Sequence, residues 1–274
     1  MPLALGILAV TFGAAVALGL LVHRLEERSG RIDNRDRRLV GDGMNGALGF
    51  LGGSAAFLLG VLMLTSVDHF NGTAASATAE ALNYSPAFDG TAALRPADRD
   101  KLQRDLVCLM RSVATKSWAA TEEGDLTGSE NTHAWQARAL RDADAVVPET
   151  YVQDGLSTVH SELREAAKAG QERLLASEAN LPTALWLLVY LSLFVLIFAL
   201  TLLLRPYPTL AVATLAAIMV LSTAMVWVLT AFSGPFTKGD GVYISPRALE
   251  SVMLRLQSSY PGKAWEPCED SAQR

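Results

Sequence analysis

The most constraining feature of the chain is a pair of long uncharged runs near its C-terminal end. Between Glu178 and Arg205 lie 26 residues without a charge, and between Arg205 and Lys238 lie another 32. Because an α-helix rises about 1.5 Å per residue, each run can cross the roughly 30 Å hydrocarbon layer of a bilayer. Prolines break the chain between them. The sequence therefore predicts a membrane hairpin with transmembrane helices at 183–205 and 206–232.

Two more apolar runs precede the hairpin. The first 22 residues carry no charge, and basic residues follow this run instead of preceding it, which favours an inserted helix at 1–23 over a cleaved secretory signal. A second uncharged run predicts a transmembrane helix at 43–67, after a basic loop at 24–42. The predicted fold is an all-α integral membrane protein with four transmembrane helices.

A helical soluble insert is predicted at 68–182, between the second and third spans. Charged residues make up 19% of the chain although 50% is apolar, so a polar region must accompany the spans. Apolar residues at helical spacing predict an amphipathic helix near 96–120, a shorter one near 132–146 and a long one from Val152 onwards. Residues 83–95 are expected to be irregular, because Pro86 lies in an Asn-Tyr-Ser-Pro run.

Small residues recur along the predicted second span at spacings of three and four. Gly49 and Gly53 form a small-xxx-small pair, which lets a neighbouring backbone approach closely. The pattern predicts a packing surface, used either against the first span or between subunits. Its members are Gly46, Gly49, Gly53, Ala56 and Gly60.

Several motifs in this order resemble the bacterial bestrophin-like family of membrane proteins. They are the basic loop, the glycine-rich span, an insert with the isolated Trp118, the run Arg173-Leu-Leu-Ala-Ser-Glu-Ala-Asn-Leu-Pro-Thr-Ala-Leu-Trp186, the boundary motif Phe232-Ser233-Gly234-Pro235-Phe236, and Ile244-Ser-Pro246. The likeness covers about 37–256. An acidic residue that the family usually carries ahead of Phe-Ser-Gly is missing here, since the chain has Leu229-Thr-Ala231.

The resemblance implies a four-span helical protein related to bestrophins, which are pentameric anion channels gated through cytosolic helices. Channel function is one hypothesis, and a structural or accessory subunit of a membrane protein complex, with the insert as partner-binding surface, is the other. Residues 233–274 are predicted to hold the non-helical end of the boundary motif, a short amphipathic helix and a polar tail. The motif either tucks against the insert or forms part of a pore mouth or partner site.

The charge distribution predicts an orientation. Six arginines lie between Arg24 and Arg38, and Arg205 lies in the hairpin turn. The positive-inside rule places both in the cytoplasm of a bacterial inner membrane, with the insert and both termini extracytoplasmic. Bestrophins keep the corresponding insert in the cytosol, so the resemblance implies the opposite orientation.

Enzyme and cofactor signatures are absent from the sequence. The four histidines have no mutual spacing of three to five residues, and the two cysteines lie far apart, so no metal, haem or thiol site is predicted. No catalytic residue, cofactor or nucleic-acid partner is predicted. The expected partners are the lipid bilayer and either further copies of the chain or another membrane protein.

Most polar side chains in the predicted spans are hydroxyl groups. Their serines and threonines either bond their own helix carbonyls or line a sparsely hydroxylated pore with apolar constrictions. Cys108 and Cys268 lie on the same side of the membrane in any four-span topology. They are either a disulfide, if that side is external, or two unrelated thiols.

Overall fold

Helices make up the regular structure of the chain. The computed structural model describes residues 2–29, 34–147, 153–178, 182–204, 208–236, 242–260, 263 and 268, and it shows no strand among them. The α-helices are α1 (Pro2–Ser29), α2 (Asn34–Gly90), α3 (Pro96–Ser112), α4 (Trp118–Glu123), α5 (Glu130–Asp144), α6 (Gln153–Glu178), α7 (Thr183–Leu203), α8 (Pro208–Ser233) and α9 (Arg247–Ser259). A 3-10 turn at Thr91–Ala93 follows α2, and a π-helical turn at Val113–Ser117 joins α3 to α4.

The first of two compact units comprises Met1–Asp68 and Leu181–Ser233. Its apolar core includes Leu8, Ala15, Leu59, Val189 and Ile197. Helices α1 and α7 approach closely at Gly19, where an added Cβ would lie 2.8 Å from Cγ2 of Thr201. The Tyr190 hydroxyl also donates to the Ala4 carbonyl across 3.2 Å. Backbone proximity and interior packing therefore hold α1 against α7.

In the part of the chain that the structure describes, four helices are long and apolar enough to cross a membrane. The qualifying segments are Ala4–Val22, a stretch within Gly49–Ala93, Thr183–Leu203 and Thr209–Ser233. Together with the absence of strands from the described residues, they confirm the predicted fold class, an all-α membrane protein with four spans and a helical insert.

Hydroxyl groups in the spans bond mainly within their own helices. The Thr201 hydroxyl donates to the Ile197 carbonyl at 2.8 Å, and that of Thr223 donates to the Met219 carbonyl at 2.7 Å. Thr65 and Thr230 make equivalent bonds three or four residues back. These bonds satisfy the hydroxyl groups in an apolar environment. They correspond to the first of the two roles that the sequence allowed, bonding to the helix's own carbonyls or lining a pore.

The second unit comprises His69–Asn180 and Gly234–Arg274, so the insert and the C-terminal segment form one body. Its core is an α-helical cluster whose buried members include Phe88, Leu102, Leu106, Met110, Ala139 and Leu163. The predicted apolar faces are the ones that are buried: Trp135, Ala139 and Ala143 all turn inward on α5. The amphipathic patterns thus located the insert helices to within a few residues.

The predicted irregular segment from residue 83 is wrong, because α2 continues to Gly90 with Pro86 inside it. A proline inside a helix loses one backbone hydrogen bond and crowds the preceding turn. The flanking side chains of Tyr84, Ala87 and Phe88 are all buried in the core of the second unit. Their packing outweighs the local cost of the proline, and only Thr91–Ala93 departs from the helix before α3.

Two glycines allow the backbones of α2 and α6 to meet. A Cβ on Gly155 would lie 2.6 Å from the Gly90 carbonyl oxygen and 2.8 Å from Cβ of Ala93. A Cβ on Gly90 would lie 2.9 Å from the Gly155 carbonyl oxygen. No other residue type fits this crossing without moving one helix.

Some predicted boundaries differ from the helices observed. Asp68 and His69, expected to end the second span, lie inside α2, and much of the basic loop at 24–42 belongs to α1 and α2. Three predicted features lie outside the described residues: most of the break between the helix near 132–146 and the one from Val152, the hairpin turn at 205–207, and most of the polar tail. The proposed division of the chain into domains stays a prediction.

Candidate functional site in the helical insert

A fully buried arginine lies at the centre of the second unit. The side chain of Arg173 on α6 is 1% exposed, and its Nε donates to Oε2 of Glu80 on α2 at 2.7 Å. One terminal nitrogen donates to the Ser117 hydroxyl at 3.0 Å, and the other donates to the Thr121 hydroxyl. Four segments of the insert therefore meet at one guanidinium: α2, the π-helical turn, α4 and α6.

An aromatic pair extends this network to the boundary motif. The guanidinium carbon of Arg173 lies 4.5 Å from the ring centroid of Trp118, within the range of a cation–π interaction. Phe236 packs edge-on against the same indole, with centroids 5.9 Å apart and planes at 79°. The buried column therefore runs Phe236, Trp118, Arg173, Glu80, and the isolated tryptophan noted in the sequence lies at its middle.

The boundary motif is only partly non-helical. Ser233, expected to begin the non-helical end of the motif, is instead the last residue of α8, because glycine and proline enter only at positions 234 and 235. Beyond them the Ile244 amide donates to the Pro235 carbonyl at 2.8 Å, which helps to place Phe236 in its apolar cluster.

The buried arginine and its glutamate also form part of the wall of a cleft. Its volume is about 340 Å³, and its lining comes from α2, the π-helical turn, the loop before α5, α5 and α6. Two cationic side chains, Arg164 and Lys168, line it one turn apart on α6. Glu80 is the one acidic side chain among the described residues that line it.

A second cleft, of about 310 Å³, lies beside the indole of Trp118. Its lining includes Arg247 and Glu250 from the first turn of α9, and Tyr243. The indole nitrogen of Trp118 is buried without a hydrogen-bond partner among the described residues. Both acidic and basic groups line this cleft, so its charge selects no ligand class.

Two carboxyl groups share a second polar site, between α3 and α5. The Asp105 side chain is 1% exposed, and Arg138 Nε lies 3.2 Å from its Oδ1, although the contact lacks hydrogen-bond geometry. Burial raises the pKa of Asp105 to about 7, Asp142 also raises it, and Arg138 opposes the shift. The pKa of Asp142 is lowered: burial opposes this, but the interactions of its carboxyl group with Asp105 and with Lys101 outweigh burial. Asp105 therefore stays mainly protonated below about pH 7.

The C-terminal segment is attached to α3 by polar and covalent contacts. Lys263 Nζ lies 2.7 Å from Oδ1 of Asp100 and 2.9 Å from Oε1 of Gln103. The sulfur atoms of Cys108 and Cys268 are 2.07 Å apart, as in a disulfide. The bond closes a loop across a sequence separation of 160 residues, and one of its sulfurs comes from the buried core.

The small-residue stripe on α2 meets no other helix in the described part of the chain. A Cβ built on Gly46, Gly49, Gly53 or Gly60 would have no atom within 4 Å, and Ala56 is exposed. The close glycine contact in the first unit is instead at Gly19. Packing against the first span, one of the two predicted uses of the stripe, is therefore not seen.

Comparison with known proteins identifies the family. The pattern of the bestrophin-like domain matches residues 9–249. The chain belongs to the bestrophin-like family. No curated protein matches it at a significant level.

Among the described residues, no group of three or more His, Cys, Asp or Glu side chains is placed to hold a metal ion.

Solved structures share the fold of this bestrophin-like protein at low sequence identity. A bacterial bestrophin homolog from Klebsiella pneumoniae, in a mutant form, is 12% identical with a TM-score of 0.63, over 95% of this chain and 99% of that chain. A structure described as a membrane protein mutant is 13% identical with a TM-score of 0.61, over 94% and 98%. At such identity the likeness extends to the fold alone.

Sequence reasoning missed both polar sites of the insert, although each left a signal. Glu80 is the only charged residue between Asp68 and Asp89, in an alanine- and threonine-rich helix. Asp105 lies three residues after Leu102 and four before Leu109, so helical spacing places it on the apolar face. A charge within an apolar stripe indicates a buried partner, but the sequence does not say which partner.

We predict that Arg173→Met destabilises the protein by about 3–5 kcal/mol, because it leaves Glu80 buried without its cation. The double variant Arg173→Met/Glu80→Gln should recover part of this loss, since no uncompensated charge remains. Chemical unfolding in detergent measures both. Arg255→Met is the control: Arg255 is exposed and lies 4.0 Å from Asp89, so its loss should cost about 0–1 kcal/mol. Equal costs for the two arginines would contradict a structural role for the buried pair.

We also predict that stability falls as pH rises from about 4 to 7. Folded Asp105 keeps its proton up to about pH 7, whereas an unfolded aspartate loses it near pH 3.9, so the folded state binds more protons in between. The loss amounts to about 2–4 kcal/mol and is complete above pH 7.

Asp105→Asn should remove most of this dependence and be more stable than the unmodified protein at pH 8. Melting temperatures at several pH values measure the effect, with the exposed Asp89→Asn as control. An unchanged pH profile in Asp105→Asn would show that the proton is held elsewhere.

Proposed function

We propose that the chain is the subunit of a homo-oligomeric ion channel of the bacterial inner membrane, selective for anions as its family resemblance implies. The main support for this proposal is membership of the bestrophin-like family over residues 9–249, combined with four helices long and apolar enough to span a membrane. The alternative, a structural or accessory subunit, has no feature of its own in its favour.

The exposed small-residue stripe of α2 supports assembly from several copies. Gly49, Gly53 and Gly60 offer lipid almost no side-chain surface, but they let another helix approach closely and gain packing. Large apolar side chains on the same helix are exposed as well, with Phe57 75% exposed. A second copy of the chain covers this surface in the proposed assembly.

The pathway for ions would be formed by apolar and small residues. The uncharged cores of the spans contain no Asp, Glu, Lys, Arg or His side chain. The hydroxyls of Thr65, Thr201, Thr223 and Thr230 bond their own helices. Such a lining suits a passive conduit with hydrophobic constrictions that gate by dewetting, and it does not suit a proton-coupled transporter.

We predict that Gly53→Leu dissociates the purified oligomer and abolishes chloride flux in liposomes, because the new side chain prevents close helix approach. The mass of the detergent complex and the flux are measured on the same sample. Gly13→Leu is the matched control: Gly13 is an exposed glycine of a span, off the stripe, with open space around it. It should leave mass and flux unchanged.

An oligomer of unchanged mass in Gly53→Leu would contradict the interface. Chloride flux equal to that of empty liposomes, in a folded oligomer of the unmodified chain, would favour the accessory-subunit function.

The orientation proposed for the subunit places the insert and both termini outside the cytoplasm. The arginines at 24–38 and Arg205 favour this topology under the positive-inside rule. The pairing of Cys108 with Cys268 in the second unit favours it too, because disulfides persist in oxidising compartments. The family resemblance implies a cytosolic insert, so the two arguments from this chain oppose the analogy.

Thiol labelling of intact cells tests the orientation. With an external, disulfide-bonded insert, a membrane-impermeant maleimide should label Cys268 only after reduction. Cys268→Ser frees Cys108, which is 1% exposed and should remain unlabelled without denaturation. Labelling that occurs only after cell lysis would place the insert in the cytoplasm and overturn this topology.

A further inference from the structure

We propose that the cleft beside Arg173 in the insert binds a small oxyanion, a phosphate- or carboxylate-bearing ligand. Its volume of about 340 Å³ lies at the lower end of the range for small-molecule sites. Its lining converges from α2, the π-helical turn, α5 and α6, so residues distant in sequence form a single concavity.

The charge of the lining selects the ligand. Arg164 and Lys168 both line the cleft, and among the described residues neither has an ion-pair partner. The acidic lining residue, Glu80, is already neutralised by Arg173 at 2.7 Å. Two free cations and one compensated carboxylate leave the cleft positive, which favours an anion.

The deep wall offers a further donor. The side chain of Tyr84 is nearly buried and lines the cleft, and none of the hydrogen bonds among the described residues involves its hydroxyl. Gly170 makes room there, because a Cβ at that position would lie 2.8 Å from Oε1 of Glu80. A phosphate or carboxylate that accepts from the Tyr84 hydroxyl can also accept charge-assisted hydrogen bonds from the two cations at the rim.

His133 and Gln136 on α5 complete the polar wall that faces α6. The His133 Nε2 lies 2.7 Å from the Thr127 carbonyl oxygen, so this nitrogen carries the hydrogen and the ring is fixed in orientation. His133 and Gln136 thus add groups that can hydrogen-bond to a polar ligand.

The experiment uses the full chain in nanodiscs of a neutral phospholipid. Thermal unfolding and calorimetric binding are followed with inorganic phosphate and with succinate, against chloride at equal ionic strength. Saturable binding of either probe is expected, with matching thermal stabilisation. In Arg164→Gln/Lys168→Gln the affinity should fall about ten- to a hundredfold, because two charge-assisted bonds are lost.

The matched control is Lys116→Gln/Arg141→Gln, which removes the same charges from exposed positions of the second unit outside the cleft. It should bind within about twofold of the unmodified chain. Tyr84→Phe, which removes only the hydroxyl, should weaken binding about three- to tenfold and keeps the proposal testable if the double variant fails to fold.

A second arm replaces the free anion with phosphatidylglycerol in the nanodisc. Stabilisation by this lipid alone, lost in Arg164→Gln/Lys168→Gln but kept in the control pair, supports the site with a lipid headgroup as the source of the phosphate. Saturable binding of the free probes supports it with a soluble anion. No saturable effect in either arm, or equal weakening by the control pair, would overturn the proposal. Chloride flux is independent of these readouts, so the channel function stands or falls separately.

Discussion

The second unit depends on the burial of one charge. A guanidinium removed from water costs several kcal/mol unless its donors are satisfied and a counter-ion is close. Arg173 meets this requirement with one carboxylate, two hydroxyls and the face of an indole. The partners come from α2, the π-helical turn and α4, so the requirement fixes these three segments and α6 relative to one another.

The π-helical turn has a clear role in this arrangement. A π turn adds one residue to a helical repeat and rotates everything after it, and such turns are frequent at functional sites. Here it ends at Ser117, and Ser117 and Thr121 are four residues apart on one helix face. Both hydroxyls therefore reach the same guanidinium, and Trp118 between them stacks on it. Phe236, from the boundary motif, packs edge-on against the ring of the same tryptophan.

Fold and orientation are separate properties of this family member. The fold is shared with solved structures at 12–13% identity, since helix packing tolerates wide sequence change when apolar faces keep their period. Orientation depends on the few charges outside the spans, and a disulfide indicates which side of the membrane is oxidising. The charges outside the spans and the pairing of cysteines can differ between relatives without disturbing a helical core. An insert on the opposite side of the membrane is therefore physically compatible with the same fold.

The sequence by itself determined the membrane spans and most insert helices. Uncharged runs of sufficient length have one stable outcome in a bilayer, because backbone polar groups must be satisfied within each helix. The periodic leucines of α3 and the Trp135, Ala139 and Ala143 face of α5 likewise depend only on local spacing. The family resemblance came from short motifs, which are also local.

Features that depend on contacts between residues distant in sequence were revealed only by the tertiary structure. α2 stays helical through Pro86, because burial of Tyr84, Ala87 and Phe88 outweighs the local cost of a proline inside a helix. The sequence-based prediction considered only that local cost. The tertiary structure paired Arg173 with Glu80, 93 residues away, and Asp105 with Arg138. It also left the α2 glycines uncovered while bringing Gly155 against Gly90. A residue type and its spacing define a helix face, but which element meets that face depends on the packing of the whole chain, and no local pattern records it.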